Sequence, residues 1–296
     1  MIPNKVLITG SNGQLGRELS LQLKEKGIGY AGYDIPEIDI TNKESIREVM
    51  DAEKPDCIIN CAAVTNVDGC EEQRVLAQQV NAEAPGYLAE EAASRGIPIV
   101  QVSTDYVFDG NGVLENGSVR PYVETDKIDP QSVYGSTKAD GEHKVMSATG
   151  QYFIIRTAWL YGDGNNFVRT MLKLAENHPE ITVVDDQIGS PTSTEDLAAA
   201  IIDLLGSEDY GIYHGTAEGQ CSWADFAAEI FHQAGKDTKV VPVTSEEYAA
   251  KAGKTVAERP HYSVLENRHF KQIGIGNFRP WKEELASYLK KENVLA

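Results

Sequence analysis

The stretch Lys5-Val-Leu-Ile-Thr-Gly10-Ser11-Asn12-Gly13-Gln14-Leu15-Gly16 decides how this chain folds. Lys5 to Thr9 is a short apolar run of the kind that forms a buried parallel strand. Three glycines follow at a spacing of three, and a helix is expected from there, with Leu15, Leu19 and Leu23 on one face. A glycine loop between a strand and a helix start is an anion site. Glycine lets the backbone approach a pyrophosphate, and the helix end presents unpaired N–H groups and a positive dipole. The spacing is G-x-x-G-x-x-G, so a strand–helix turn with incidental glycines is the competing reading; the strand–loop–helix context favours nucleotide binding.

Outward from this loop the pattern repeats. Gly29 to Asp34 reads as a second strand whose terminal carboxylate lies where a dinucleotide fold binds the adenosine ribose. A carboxylate there favours NADH, Arg17 leaves NADPH open, and the plainer alternative for Asp34 is a solvated residue ending a strand. Thr41 or Asn42 caps a helix from Lys43, and Pro55 to Ala63 and Pro98 to Thr104 are further strands. A long helix from Arg74 to Arg95 is expected to break near Pro85. Alternating strand and helix imply an α/β, Rossmann-like, doubly wound parallel sheet of about six or seven strands. Its ligands belong at the carboxyl ends, which carry Gly10, Asp34, Ala63 and Thr104. Residues 108–129 read as an excursion over the site. Residues 1–156 and about 192–215 form the dinucleotide-binding domain, and about 157–191 with 216–296 a smaller α+β substrate lobe.

Composition is ordinary for a soluble α/β protein of 296 residues. A net charge of -18 argues against nucleic acid and anionic membranes as partners while permitting a local positive pocket. Cys57, Cys61, Cys70 and Cys221 show no disulfide or CxxC pattern. The N-terminus runs directly into the first strand and no apolar run approaches membrane-spanning length, so a cytoplasmic location is expected.

Tyr134 and Lys138 stand four residues apart on an expected helix from Ser132, hence on one face. A free phenol titrates near about 10, and a neighbouring ammonium stabilises its phenolate, tuning it for proton exchange. Alone, the spacing is common by chance and reads as a surface helix pair. It gains meaning from the glycine loop and from Ser103-Thr104 at a strand end, where a hydroxyl would bond the carbonyl that Tyr134 protonates.

This constellation resembles the extended short-chain dehydrogenase/reductase superfamily, and within it the dTDP-4-dehydrorhamnose reductase family. The resemblance rests on Thr9–Gly16, Asn60–Asp68, Ser103–Gly110, Val133–Lys138, Arg156–Gly162, Gly164–Val168, Asp186–Thr192 and Arg259-Pro260. It implies that NADPH or NADH reduces the 4-keto group of a dTDP-sugar in dTDP-rhamnose biosynthesis. Tyr134 would be the proton donor, Lys138 the ribose ligand and Thr104 the polariser of the carbonyl. Gly10 to Gly16 would hold the pyrophosphate, Asp39 and Ile40 would lie at the adenine, and Cys61, Ala62, Ala63 and Thr65 would run along the cofactor. Val67, Asp105 and Tyr106 would line the sugar pocket, and Trp159 would pack beside the sugar or nicotinamide, or else be a core aromatic. Some relatives hold Mg²⁺ through glutamates at a homodimer interface; Glu18 and Glu195 match two such positions, and no third is found.

Three rivals stand beside this reading. A 4,6-dehydratase shares the scaffold but follows the strand-end Thr with an Asp-Glu pair, and here Tyr106 follows Asp105. A 4-epimerase retains its NAD through turnover. A non-catalytic subunit, like the regulatory subunit of methionine adenosyltransferase, resembles these reductases and acts by interaction.

Overall fold

Strands that are apolar on both faces pair in parallel and take helices above and below. A computed structural model describes residues 2–252 and 257–295. The strands are β1 (Lys5–Thr9), β2 (Gly29–Tyr33), β3 (Cys57–Asn60), β4 (Ile99–Thr104), β5 (Val113–Glu115), β6 (Ser118–Arg120) and β7 (Tyr152–Thr157). They continue as β8 (Leu160–Tyr161), β9 (Glu180–Val184), β10 (Ile188–Gly189), β11 (Thr192–Ser193), β12 (Gly211–His214), β13 (Cys221–Ser222) and β14 (Lys239–Val243). The helices are α1 (Gln14–Glu25), α2 (Lys43–Glu53), α3 (Val67–Glu72), α4 (Arg74–Gln78), α5 (Ala84–Arg95) and α6 (Val133–Ala148). After these come α7 (Phe167–Ala175), α8 (Thr194–Leu204), α9 (Trp223–Gln233), α10 (Ser245–Ala252), α11 (Arg268–Ile273) and α12 (Trp281–Lys291).

Six strands form one parallel sheet in the order β12-β7-β4-β3-β1-β2. The chain winds outward in both directions from β1, so the crevice of a doubly wound sheet opens at the carboxyl ends of β1 and β3. Leu15, Leu19 and Leu23 of α1 pack with Leu197 and Ile201 of α8 on one face, while Ile46, Met50 and Leu88 from α2 and α5 cover the other. A separate core joins Tyr161, Val168 and Met171 to Phe226, Phe231, Trp281 and Leu285.

Several expectations need correction. Phe270 of α11 is buried in the sheet's core, so this part of the expected substrate lobe packs on the Rossmann side. The break in the long helix near Pro85 is a π turn over Gln79–Glu83, which leads directly into α5 with Pro85 in its first turn. Asn42, rather than Thr41, caps α2, accepting from Glu44 N at 2.9 Å. The 108–129 excursion contains the β5–β6 hairpin, turned by Asn116 and Gly117, both at positive φ.

Glu284 of α12 is fully buried, and its Oε2 accepts from Ser193 N at 2.6 Å. Burial, reinforced by the charge of Asp196, pushes its carboxyl up to about 9. The folded state thus binds a proton that the unfolded chain releases above its ordinary value of 4.5, and stability falls as pH rises from there towards 9. Glu284→Gln removes the titration while keeping an acceptor for Ser193. Thermal melts should show the variant's Tm declining less steeply than wild type between pH 5 and 9; parallel declines would refute the assignment.

Candidate active site

The glycine loop departs from β1 with Gly10 at φ +68, and a Cβ there would lie 2.6 Å from Ala62 N. A Cβ at Gly16 would lie 2.3 Å from Gly10 O, so both positions need glycine for strand, loop and helix to meet. Gly13 begins α1 without any side-chain cap, leaving the first-turn amides to an incoming anion. This cradle fits a dinucleotide pyrophosphate. Asn12 N donates to Asp34 Oδ2 at 3.1 Å and Ile35 N to Oδ1 at 2.9 Å, so Asp34 braces the loop from the end of β2. Gln14 Oε1 accepts from Gly162 N at 2.9 Å, and Arg17 pairs with Asp163 at 3.1 Å. The loop is therefore tied to the segment that follows β8. Asp39 is held by Thr41 while the Ile40 side chain lies in the core, so at this edge Ile40 offers backbone only.

A buried polar row runs beneath the crevice. Thr9 Oγ1 donates to Asn60 Oδ1 at 2.6 Å, and Asn60 Nδ2 to Gln101 Oε1 at 2.7 Å, linking neighbouring registers of β1, β3 and β4. Residues 61–65 are pinned by Asn81 of the π turn, which accepts from Val64 N at 2.8 Å and donates to Val64 O at 3.0 Å. Burial pushes the Cys61 thiol up to about 12, so it packs as a neutral group.

Thr104, Tyr134 and Lys138 converge at the carboxyl end of β4. Ser132 caps α6 by accepting from Gly135 N at 3.1 Å, and a Cβ at Gly135 would lie 2.2 Å from Tyr106 O. That close approach brings Tyr134 to the strand end, where it faces the Thr104 hydroxyl. Lys138 Nζ donates to Val102 O at 2.6 Å. Burial lowers the ammonium to about 8, against the charge of Glu142 on the next helical turn. The Tyr134 phenol is raised by burial and opposed by Thr104, so it holds its proton at neutral pH. The expected depression by Lys138 gives way here to burial. Asp105, 3% exposed, accepts from Thr104 Oγ1 at 2.9 Å, and burial pushes its carboxyl up to about 6.

Asp105, Tyr106 and Trp159 line a cavity of about 910 Å³ with Arg259 and Trp223. Val67, Thr104 and Tyr134 do not line it; Tyr134 meets Tyr106 edge to face at 5.4 Å. Trp159 is half-buried. Trp223 stacks on it at 3.6 Å, and a Cβ at Gly189 would lie 2.5 Å from its Cε2. Glu18 and Glu195 are brought together by Gln22, which donates to Glu18 Oε1 and to Glu195 O, while Lys291 lies 3.1 Å from the Glu195 carboxylate. Among the described residues no three His, Cys, Asp or Glu side chains form a metal site, and no helix is long and apolar enough to cross a membrane.

The sequence reading missed Asn81, Gln101, Glu142 and Ser263. Asn81 and Glu142 carried a signal, as polar residues on the buried side of otherwise regular helices; Gln101 interrupts an apolar strand.

The family described as RmlD substrate binding domain matches residues 4–294. A spore coat polysaccharide biosynthesis protein of Bacillus subtilis is 43% identical, the match covering 98% of each chain. The dTDP-4-dehydrorhamnose reductase structure from Clostridium acetobutylicum superposes with a TM-score of 0.91 at 47% identity, covering 98% of this chain and 99% of that one. That from Bacillus anthracis, in complex with NADP, gives 0.90 at 38%, covering 97% and 99%. With its glycine cradle and Thr104–Tyr134–Lys138 cluster, this chain belongs to the dTDP-4-dehydrorhamnose reductase family.

Proposed function

We propose that the protein reduces the 4-keto group of dTDP-4-dehydro-β-L-rhamnose to give dTDP-β-L-rhamnose. The observation that carries this is the convergence of Thr104, Tyr134 and Lys138 at one strand end beside a large cavity. A bound NADPH or NADH supplies the hydride. Gly10 to Gly16 hold its pyrophosphate, and Lys138 holds the ribose. Thr104 polarises the ketone, and Tyr134, kept protonated by burial, delivers the proton to the C4 oxygen as charge develops there. Asp105, Tyr106, Val67 and the edge of Trp159 surround the sugar, and Arg259, the single Lys or Arg among the described cavity-lining residues, faces the diphosphate. The sheet domain thus carries the cofactor and the second core the substrate.

The dehydratase reading is disfavoured because Tyr106 stands where that family places a carboxylate base, and burial raises its phenol further from ionisation. Loss of NADPH absorbance with the dTDP-4-keto sugar distinguishes the reductase from a binding subunit. A protein that binds NADPH but oxidises none with any nucleotide-linked ketone would defeat the proposal.

Tyr134→Phe removes the acid and keeps the ring, so kcat should fall by about 10²–10⁴ with cofactor Kd little changed. Lys138→Met should damage both, and Thr104→Val should cost less than either. A fully active Tyr134→Phe would place the chemistry elsewhere. The loss of the Lys138 proton above about pH 8 should form the upper limb of the wild-type pH profile. Asp34→Asn keeps an acceptor for one of the two amides that Asp34 binds while removing the charge that repels a 2′-phosphate. The ratio of NADPH to NADH use should therefore rise, and an unchanged ratio would remove Asp34 from the ribose site.

A further inference from the structure

Thr104 has a single hydroxyl proton, and in the structure that proton is directed at Asp105 Oδ1, 2.9 Å away. A hydroxyl that donates to a carboxylate has nothing left to donate to a ketone. The other carboxyl oxygen, Asp105 Oδ2, is buried without a hydrogen-bond partner among the described residues, and Asp105 lines the cavity. Resting on the functional reading above, we propose that Asp105 is a positioning residue that aims Thr104: protonated, it donates to Thr104 Oγ1, and the Thr104 proton turns to the substrate carbonyl.

The surroundings suit this switch in hydrogen-bond direction. Asp105 is almost wholly withdrawn from solvent, and burial pushes its carboxyl up towards neutrality, to about 6. Tyr134 of α6 and Tyr106 of its own turn both feel its charge. Against burial, the Ser263 hydroxyl and the backbone N–H groups of Asp105 and Tyr106 favour its charged form. The remaining titratable groups lining the cavity are Asp68 and Glu72 of α3, Glu246 and Tyr248 of α10, and Glu258, Arg259 and His261. The carbonyl oxygen only accepts, so a bound ketone favours the protonated carboxyl and draws it above its value in the free protein. Tyr106 N donates to Thr104 Oγ1 at 3.3 Å, which leaves the second lone pair of that oxygen for a proton from Asp105.

The test compares the pH dependence of kcat/KM for the dTDP-4-keto sugar in wild type, Asp105→Asn and Asp105→Leu, with NADPH Kd as a check of folding. Wild type should lose about tenfold per pH unit above the Asp105 titration before the Lys138 limb begins. The Asn amide donates at every pH, so Asp105→Asn should lack that lower limb and keep the upper one. Asp105→Leu, with no donor for Thr104, should be slow at every pH with NADPH Kd retained. An Asp105→Asn profile that keeps the wild-type lower limb would overturn the proposal. So would an Asp105→Asn enzyme more than about 10³-fold slower at every pH with intact NADPH binding, because a carboxylate charge would then be the requirement. A wild type inactive on nucleotide-linked ketones defeats the functional reading itself, whereas an active wild type with an unshifted Asp105→Asn profile defeats this inference alone.

Discussion

The active site depends on one buried ion pair. Arg156 of β7 grips Glu142 of α6 with two hydrogen bonds, Nε to Oε1 at 2.9 Å and Nη2 to Oε2 at 2.7 Å, and neither side chain is more than 3% exposed. Ser103 donates to the same carboxylate at 2.5 Å. A single carboxylate therefore fixes the end of β4, the neighbouring strand and the helix that carries Tyr134 and Lys138. Breaking such a pair from one side leaves an uncompensated buried charge and costs about 3–5 kcal/mol, although the intact pair adds far less stability. Its value here is geometric: it specifies how the helix sits on the strand ends. Arg156 also lies 5.1 Å over the Phe108 ring and reaches Glu124 O at 3.4 Å, so the excursion after β4 is held by the same guanidinium.

Burial does three different jobs within this one region. It lowers Lys138 towards neutrality, keeps Tyr134 protonated, and brings Asp105 within reach of neutral pH. An environment that excludes water pushes acids up and bases down, and specific partners then adjust each group. Glu142 works against burial at Lys138, and Thr104 works against it at Tyr134. The chemistry is set by desolvation first and by pairwise charge second. The reverse order is what a Tyr–Lys spacing suggests when only the sequence is in view.

The parallel sheet, the glycine loop and the meeting of Thr104, Tyr134 and Lys138 were legible because each rests on local patterning: an apolar run, a glycine spacing, a helical repeat of four. The β5–β6 hairpin was equally legible from Asn116-Gly117, and was overlooked inside a polar, turn-rich stretch. What sequence did not reveal depends on long-range placement. Asn81 matters because a π turn rotates it towards Val64, and a single extra residue in a helix leaves little trace in hydrophobic periodicity. Trp159 was left between a pocket and a packing aromatic; in the structure it stacks on Trp223, lies against Gly189 and lines the cavity. Phe270 joined the sheet's core from a segment whose short helices looked like part of the lobe.

The bond from Gly162 N to Gln14 crosses from the segment after β8 to the loop that receives the pyrophosphate. Three residues before Gly162 in the chain stands Trp159, at the edge of the sugar cavity. On the proposed assignment of the site, the two ligands would meet opposite ends of one short mechanical link. By thermodynamic reciprocity, whatever free energy a cofactor communicates to sugar binding through that link, the sugar returns unchanged to the cofactor. Order of addition, in such an arrangement, is a property of the link's stiffness as much as of either pocket.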